Sequence, residues 1–381
     1  MIYLNNAATT LPKPPQVIRA IRNALEGIGA NPGRGGDPLV YKADKLIYSA
    51  RIRAAKFFGL PDPARLIFTP GCTYSINIAI RGALKNGDHV ITTGRMHNAI
   101  SRTVFDKRLG LQVSSIEWDG KSGFTEEMFN KYLTPATKAI IVNHGSNVDG
   151  LLLPMEAIGK IAKQLGLLLI VDTAQTAGVI PIDMERSGIG ILCASGHKGL
   201  YGPAGIGILA VAPDVDIEPL VSGGTGSFSE DMDMPETYPD RFEPGSPNFS
   251  GIAGLDAGIA FIEKTGIEKI FRHKMKLCVE AYEGLIKFPD VNIFWPEKEA
   301  NRLPLFSFTV GEMDPSEVAE HLDKKYRIAT RTGLHCAPFA HKEIGTYPIG
   351  TVRVSPGFYN KRGDIKKLIK AVKDLSVKKK R

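Results

Sequence analysis

Short apolar runs alternate with amphipathic stretches from about residue 54 to residue 211 of the chain. Uninterrupted apolar runs of this kind are typical of strands buried on both faces, and helical spacing between them is typical of crossover helices. The strand-like segments are 65–69, 89–92, 139–142 and 167–172, and the helix-like segments include 76–84 and 155–165. The pattern predicts one large α/β domain built on a mainly parallel sheet.

Longer helices dominate the pattern after residue 251. Asp314, Pro315 and Glu317 predict a helix N-terminus, because they combine a capping side chain, a first-turn proline and a capping-box glutamate. The predicted elements are helices at 252–265, 267–288 and from 314 onward, strands at 327–332 and 351–355, and a terminal helix at 363–377. This order predicts a second, smaller α+β domain.

The domain organisation follows from this change of pattern. We expect an N-terminal arm at 1–15 that packs with the small domain, a large domain at 16–250 and a small domain at 251–381. The segment 222–250 is rich in Gly, Ser, Pro and acidic residues and is too long for an ordinary connection. It is therefore predicted to be either mobile or a functional loop.

Composition narrows the class of protein. The 381 residues are 43% apolar and 23% charged, which excludes a disordered or low-complexity chain. The net charge is +8, but Lys and Arg are spread along the chain apart from the last four residues, which argues against nucleic-acid binding. No apolar stretch is suited to a secretory signal or long enough for a membrane span, so we expect a cytoplasmic protein. The widely separated cysteines predict free thiols and no metal site; they are Cys72, Cys193, Cys278 and Cys336.

Two polar residues follow apolar runs in a way that indicates a cofactor. Asp172 ends one run, and Lys198 follows another within a glycine-rich loop. In parallel sheets, such positions meet at the carboxyl edge, where ligands bind. A lysine for a Schiff base and a carboxylate for a pyridinium nitrogen are what pyridoxal phosphate requires.

Two further segments agree with this interpretation. Cys72 and Thr73 open an apolar helix, where a hydroxyl and free backbone N–H groups can hold a phosphate. Thr73 can also act as an ordinary helix N-cap, and this role is compatible with phosphate binding. His97 lies just past another strand, where it is either an ordinary loop residue or a ring that stacks on the cofactor.

The ordered set of motifs closely resembles the class V group of fold-type I pyridoxal phosphate enzymes, specifically cysteine desulfurases and selenocysteine lyases. The resemblance covers nearly the whole chain. The motifs are LNNAATT at 4–10, GSNV at 145–148, VDTAQ at 171–175, SGHK at 195–198, YGPAGIG at 201–207, RFEPGSPN at 241–248 and RTGLHCA at 331–337.

The resemblance implies a role for each matching residue in the site. Lys198 is implied as the Schiff-base lysine, Asp172 as the pyridinium partner, Gln175 as the donor to the ring oxygen and His97 as the stacking ring. Implied phosphate ligands are Cys72, Thr73, Ser195, His197 and, from the other subunit of a homodimer, Ser246. Asn147 and Arg353 are implied to hold the substrate carboxylate, with Asn147 also beside the cofactor and with Arg331 and Arg34 as helpers.

The resemblance implies that Cys336 is the nucleophile of the reaction. Its thiolate would take sulfur from L-cysteine as a persulfide, leaving L-alanine, after Lys198 removes the Cα proton. A buried structural cysteine, or a metal site with His335 and His341, is the alternative for Cys336. The resemblance further implies an acceptor protein for the sulfur and a role in iron–sulfur cluster assembly.

Substrate identity stays open among L-cysteine, L-selenocysteine and cysteine sulfinate. The chain departs from many relatives at Asn5, where they have Asp, at Cys72, where they have Thr, and in 31–37, which lacks a histidine common there.

The chain also contains two sequence motifs found in serine acylases of the S-x-x-K class. They are S-x-x-K at 195–198 and K-T-G at 264–266. That alternative is disfavoured because 264–266 is predicted to close a helix.

Overall fold

The computed structural model describes residues 1–29, 31–33, 35–118, 123–297 and 301–378. The strands are β1 (Ile2–Tyr3), β2 (Leu66–Thr69), β3 (His89–Thr93), β4 (Gln112–Ile116), β5 (Thr137–Asn143), β6 (Leu168–Asp172), β7 (Ile191–Ser195), β8 (Gly207–Val211), β9 (Val291–Phe294), β10 (Phe306–Val310), β11 (Ile328–Ala329), β12 (Arg331–Gly333) and β13 (Thr351–Val354). The α-helices are α1 (Pro15–Asn23), α2 (Pro38–Phe57), α3 (Cys72–Ala83), α4 (Asn98–Val104), α5 (Glu126–Asn130), α6 (Met155–Gln164), α7 (Phe249–Thr265), α8 (Ile267–Leu285), α9 (Pro315–Tyr326), α10 (Pro338–Glu343) and α11 (Arg362–Lys378).

The larger sheet has the strand order β2-β8-β7-β6-β5-β3-β4. The pairs from β7 through β4 are all parallel, whereas β8 is antiparallel to both β7 and β2. The predicted mainly parallel α/β sheet is therefore confirmed. The reversed direction of β8 was not predicted, because a strand buried on both faces carries the same apolar pattern in either direction.

Alternate residues of one strand enter two separate cores, which explains the uninterrupted apolar runs. On β5, Ile140 and Val142 pack with α2, α6 and α7, whereas Ala139 and Ile141 pack with α3 and α4 on the opposite face. Helices therefore cover both faces of the sheet, and its carboxyl edge is left for the site.

A second, four-stranded antiparallel sheet has the order β12-β13-β10-β9. Its core is shared with α8, α9 and α11 through residues such as Leu277, Leu322 and Leu368. The predicted cap of α9 is present, since the Asp314 side chain accepts from the Ser316 N–H.

The N-terminal arm joins this second part of the molecule through β1, which pairs in parallel with β11. Helix α7 packs in the first core with α2, and α8 passes from the first core to the second. The division into an arm and two domains stays a prediction. In the described residues, no helix has the length and apolar character needed to cross a membrane.

Candidate active site

The carboxyl ends of three parallel strands meet around a cavity of about 260 Å³. Asn143 ends β5, Asp172 ends β6 and Ser195 ends β7, and all three line this cavity. The cavity brings together nine of the predicted site residues, which are Cys72, Thr73, His97, Asn147, Asp172, Gln175, Ser195, His197 and Lys198. We call it the Lys198 cavity.

Asp172 is a buried carboxylate with several donors from the protein. Asn143 Nδ2 donates to Oδ2 at 2.8 Å, and the Ala174 N–H donates to Oδ1 at 2.8 Å. Cys72 Sγ donates to Oδ1 at 3.4 Å. Proximity to this carboxylate adds to burial in raising the pKa of Cys72 well above its usual value, so Cys72 is a neutral thiol.

Asn143 is a site residue that the sequence analysis missed. Besides Asp172, it binds the next segment, because its Oδ1 accepts from the His97 N–H at 2.9 Å. The signal was available, since Asn143 directly follows an apolar run just as Asp172 does.

Lys198 lies in the turn between β7 and β8. Burial lowers the pKa of its amine, Asp172 opposes this effect, and Arg353 and Arg331 add to it. A depressed lysine pKa increases the fraction of neutral amine, which is the form that can act as a nucleophile or a base.

The N-terminal arm holds the backbone of this turn. Thr10 Oγ1 donates to the Lys198 carbonyl at 2.7 Å, and Lys13 Nζ donates to the His197 carbonyl at 2.7 Å. Gln175 Nε2 donates to the Ala7 carbonyl at 3.1 Å. The arm therefore contacts both the Lys198 turn and a residue that lines the Lys198 cavity.

His97 is the N-cap of α4 and lines the Lys198 cavity. Its Nδ1 accepts from the Ala99 N–H at 3.0 Å, so this nitrogen carries no proton. Burial lowers the pKa of His97 to about 4. The ring is therefore neutral near pH 7, with its proton on Nε2.

The N-terminus of α3 lines one end of the Lys198 cavity through Cys72 and Thr73. His197 lies in the same lining, and burial, with Lys198 and Lys13, lowers its pKa to about 4. Ser195 completes a group of hydroxyl, imidazole and backbone donors, a combination suited to a phosphate.

Cys336 does not line the Lys198 cavity. It is exposed in a neighbouring open groove of about 760 Å³. Arg331 Nη2 lies 3.2 Å from its Sγ, and the Asn98 N–H donates to its carbonyl at 2.7 Å. Because Asn98 follows His97, this bond connects the loop of Cys336 directly to the lining of the Lys198 cavity.

Arg353 is 0% exposed and likewise lies outside the lining of the Lys198 cavity. Its Nη1 donates to the Asn147 carbonyl at 2.7 Å, and its Nη2 donates to Asn5 Oδ1 at 3.2 Å. Asn147 Nδ2 in turn donates to the His335 carbonyl at 2.6 Å. The two predicted carboxylate ligands are thus bonded to each other, and Arg34, a predicted helper, lies outside the described residues.

Ser246 lies apart from the Lys198 cavity, exposed in an adjacent groove of about 390 Å³. Its loop is fixed on both sides. Glu243 forms two hydrogen bonds of 2.8 Å with Arg51, and Asn248 Nδ2 donates to the Gly205 carbonyl at 2.7 Å.

The alternative assignments do not agree with the structure. Within the described residues, no group of three His, Cys, Asp or Glu side chains could hold a metal ion, although His335 and His341 have ring centroids 5.4 Å apart. Ser195 ends a strand and Thr265 ends α7, so the acylase motifs do not have the required helix and strand.

Comparisons with known proteins identify the family of the chain. The sequence model of the family "Aminotransferase class-V" matches residues 2–368. A relative from Methanothermobacter thermautotrophicus named "Probable cysteine desulfurase" is 31% identical, and the match covers 98% of this chain and 94% of that one. A relative of the same name from Pyrococcus abyssi is 33% identical with the same coverage.

Solved structures of cysteine desulfurases also have a fold similar to that of this chain. The apo structure of a cysteine desulfurase from Thermococcus onnurineus has a TM-score of 0.90 and 31% identity over 98% of this chain and 94% of that one. An Escherichia coli cysteine desulfurase has a TM-score of 0.88 and 26% identity over 99% of this chain and 94% of that one. The fold is that of the fold-type I class of enzymes. The chain belongs to the aminotransferase class-V family, which confirms the resemblance and the fold predicted from the sequence.

Proposed function

We propose that the chain is a pyridoxal phosphate-dependent cysteine desulfurase that converts L-cysteine to L-alanine and takes the sulfur as a persulfide on Cys336. The observation that carries the proposal is the pairing of two sites. A partly buried lysine and a buried carboxylate line one cavity, and an exposed thiol beside an arginine lies on a loop bonded to that lining. Relatives named "Probable cysteine desulfurase" that match 98% of the chain support the desulfurase activity.

The residues of the Lys198 cavity fit pyridoxal phosphate. Cys72 and Thr73 at the N-terminus of α3, with Ser195 and His197, supply donors for the phosphate, and Ser246 of a second subunit would add another. Asp172 would face the ring nitrogen, Gln175 the ring oxygen and His97 the ring face, while Asn147 lies beside them. The cofactor, held covalently on Lys198, supplies an electron sink that makes the substrate Cα proton acidic.

Lys198 serves as the base that removes this proton. Its amine must be neutral to accept a proton, and burial lowers its pKa in the required direction. Asp172 accepts hydrogen bonds from Asn143 and Ala174, which orient its carboxylate to stabilise a protonated ring nitrogen.

Cys336 carries out the sulfur transfer. Its thiolate attacks the substrate sulfur, the new S–S bond forms as the substrate Cβ–S bond breaks, and the bonding electrons return to the substrate carbons. Protonation there yields L-alanine and leaves a persulfide on Cys336. The Arg331 guanidinium lies 3.2 Å from Sγ, within hydrogen-bond distance of the attacking sulfur.

The Arg353 and Asn147 pair, helped by Arg331 and by Arg34, binds the substrate carboxylate. Arginine suits a carboxylate because its planar fork can bind both oxygens. L-selenocysteine and cysteine sulfinate present the same carboxylate and are the alternative substrates of this site. The family role implies an acceptor protein for the sulfur, with iron–sulfur cluster assembly as its use.

A homodimer is the proposed assembly. The groove that contains Ser246 is also lined by Phe68, Tyr74, Leu220 and Val221, of which the last three are exposed. A second copy that covers this apolar surface would bring Ser246 to the partner's phosphate. The exposed free thiol of Cys336 suits a reducing compartment, so we propose the cytoplasm.

Replacing Cys336 tests the proposal most directly. Cys336→Ala should keep the cofactor on Lys198 and lose persulfide formation and most alanine release from L-cysteine. The measurements are the mass of the borohydride-reduced Lys198 peptide, the persulfide by mass spectrometry, and alanine. The buried Cys278→Ala variant is the matched control.

Alanine release at the wild-type rate from Cys336→Ala would remove Cys336 as the nucleophile. Assays with L-selenocysteine and cysteine sulfinate, with and without a thiol reductant, then decide the favoured substrate. Faster turnover of either compound than of L-cysteine would favour a selenocysteine lyase or a sulfinate desulfinase.

A further inference from the structure

Arg353 is a buried cation that no carboxylate neutralises within the described part of the chain. Its guanidinium donates only to neutral oxygens, the Asn147 carbonyl at 2.7 Å and Asn5 Oδ1 at 3.2 Å, and its Nε has no partner. A buried charge without a counter-ion costs free energy. The surroundings of Arg353 therefore favour an incoming anion.

A second cation lies beside it and increases this preference. Arg331 on β12 is the direct cross-strand partner of Arg353 on β13. Like charges in this position repel, and Arg331 adds to burial in lowering the pKa of Arg353 to about 9. Arg331 itself bonds to the Cys336 thiol, not to a carboxylate.

Asn5 lies beside the guanidinium of Arg353, which donates to its Oδ1. It retains some exposure, whereas Arg353 is 0% exposed. The backbone of Asn5 is held by a bridge to Ser355, and the Ser355 N–H donates to the Leu4 carbonyl at 2.8 Å. With its backbone fixed in this way, Asn5 can release Arg353 by a side-chain rotation alone.

We propose that Asn5 is a positioning residue that sets the affinity for the substrate, because its neutral amide holds Arg353 through an exchangeable hydrogen bond that the substrate carboxylate displaces. An aspartate at this position would form an ion pair with Arg353, and a substrate carboxylate would then have to compete with a bound charge. This inference rests on the proposed function, in which Arg353 receives the amino-acid carboxylate.

The test compares substrate affinity and stability in one variant. Asn5→Asp should raise the KM for L-cysteine roughly tenfold with little change in kcat, because a like charge now occupies the carboxylate's position. The affinity for L-alanine, measured from the cofactor's absorption without turnover, should fall by a similar factor. The same variant, freed of cofactor, should unfold at a higher temperature than the wild type, because the buried cation gains a partner.

Asn5→Ala is the matched variant, and it should leave the KM much closer to that of the wild type. A merely structural role for Asn5 predicts instead that both variants unfold at a lower temperature than the wild type. An unchanged KM in Asn5→Asp, while Arg353→Lys raises the KM, would overturn the inference and leave the proposed function standing. An unchanged KM in Arg353→Lys would remove Arg353 from carboxylate binding, and the inference with it.

Discussion

Burial sets the protonation of the histidines around the Lys198 cavity. His97 and His197 both have a pKa lowered to about 4, with burial as the largest cause. Neutral imidazoles at these positions can contact a ring face or donate one hydrogen bond without adding positive charge. The two imidazoles therefore add no positive charge to the site near pH 7.

Asp172→Asn tests this distribution of charge. The amide is nearly the same size but cannot stabilise a protonated ring nitrogen, so alanine formation should fall by roughly 10²-fold or more. Covalent cofactor on Lys198, measured by mass spectrometry after reduction, should persist. Normal turnover in Asp172→Asn would contradict the role of Asp172, and Asp183→Asn, outside the cavity lining, serves as its control.

Local sequence predicts residues at strand ends better than residues joined by distant contacts. Asp172 and Lys198 were predicted because apolar runs precede them, and Asn143 could have been found in the same way. The bond from the Asn98 N–H to the Cys336 carbonyl joins segments far apart in sequence. Such a contact leaves no periodic signal, so neither this bond nor the burial of Arg353 was predictable.

At the scale of elements, α10 is anchored to the loop that follows β3. Arg95 in that loop lies 2.7 Å from Glu343 Oε2 at the end of α10 and 2.9 Å from Asp149 Oδ2. The loop that carries Cys336 directly precedes α10. The ion pair therefore helps to fix Cys336 relative to His97, two residues beyond Arg95.

Glu343→Gln should loosen this anchor and slow persulfide formation on Cys336 a few-fold, with the KM for L-cysteine unchanged. A single-turnover measurement of the persulfide isolates that step. Glu320→Gln, which removes an exposed ion pair with Lys324 on α9, should have no effect. Equal persulfide rates in Glu343→Gln and the wild type would show that α10 does not position Cys336.

At the scale of the whole molecule, buried histidines make stability depend on pH. Burial lowers the pKa of His144 to about 4, whereas the ordinary value is 6.5. Below pH 6.5 the unfolded chain binds more protons than the folded one at such a histidine, so stability is lost as the pH falls. His97, His197 and His341 have similarly low pKa values and act in the same direction.

His144→Gln should therefore flatten the pH dependence of unfolding. For one such histidine, the folded state loses about 1 kcal/mol between pH 6.5 and 5.5, and the glutamine variant lacks this loss. Denaturant unfolding at the two pH values measures the difference. Equal slopes in His144→Gln and the wild type would mean that the pKa of His144 is the same in the folded and unfolded states.

The N-terminal arm has a consequence for the order of folding. Its hydrogen bonds join Thr10 to Lys198 across 188 residues and Ala7 to Ser355 across 348 residues. Contacts so distant in sequence carry a large loop-closure cost and form late. Although the arm leaves the ribosome before the rest of the described chain, its contact with Ser355 cannot form until β13 and Ser355 have been synthesised. We therefore expect the Lys198 turn to reach its final geometry only after translation of nearly the whole chain, so that cofactor loading follows synthesis.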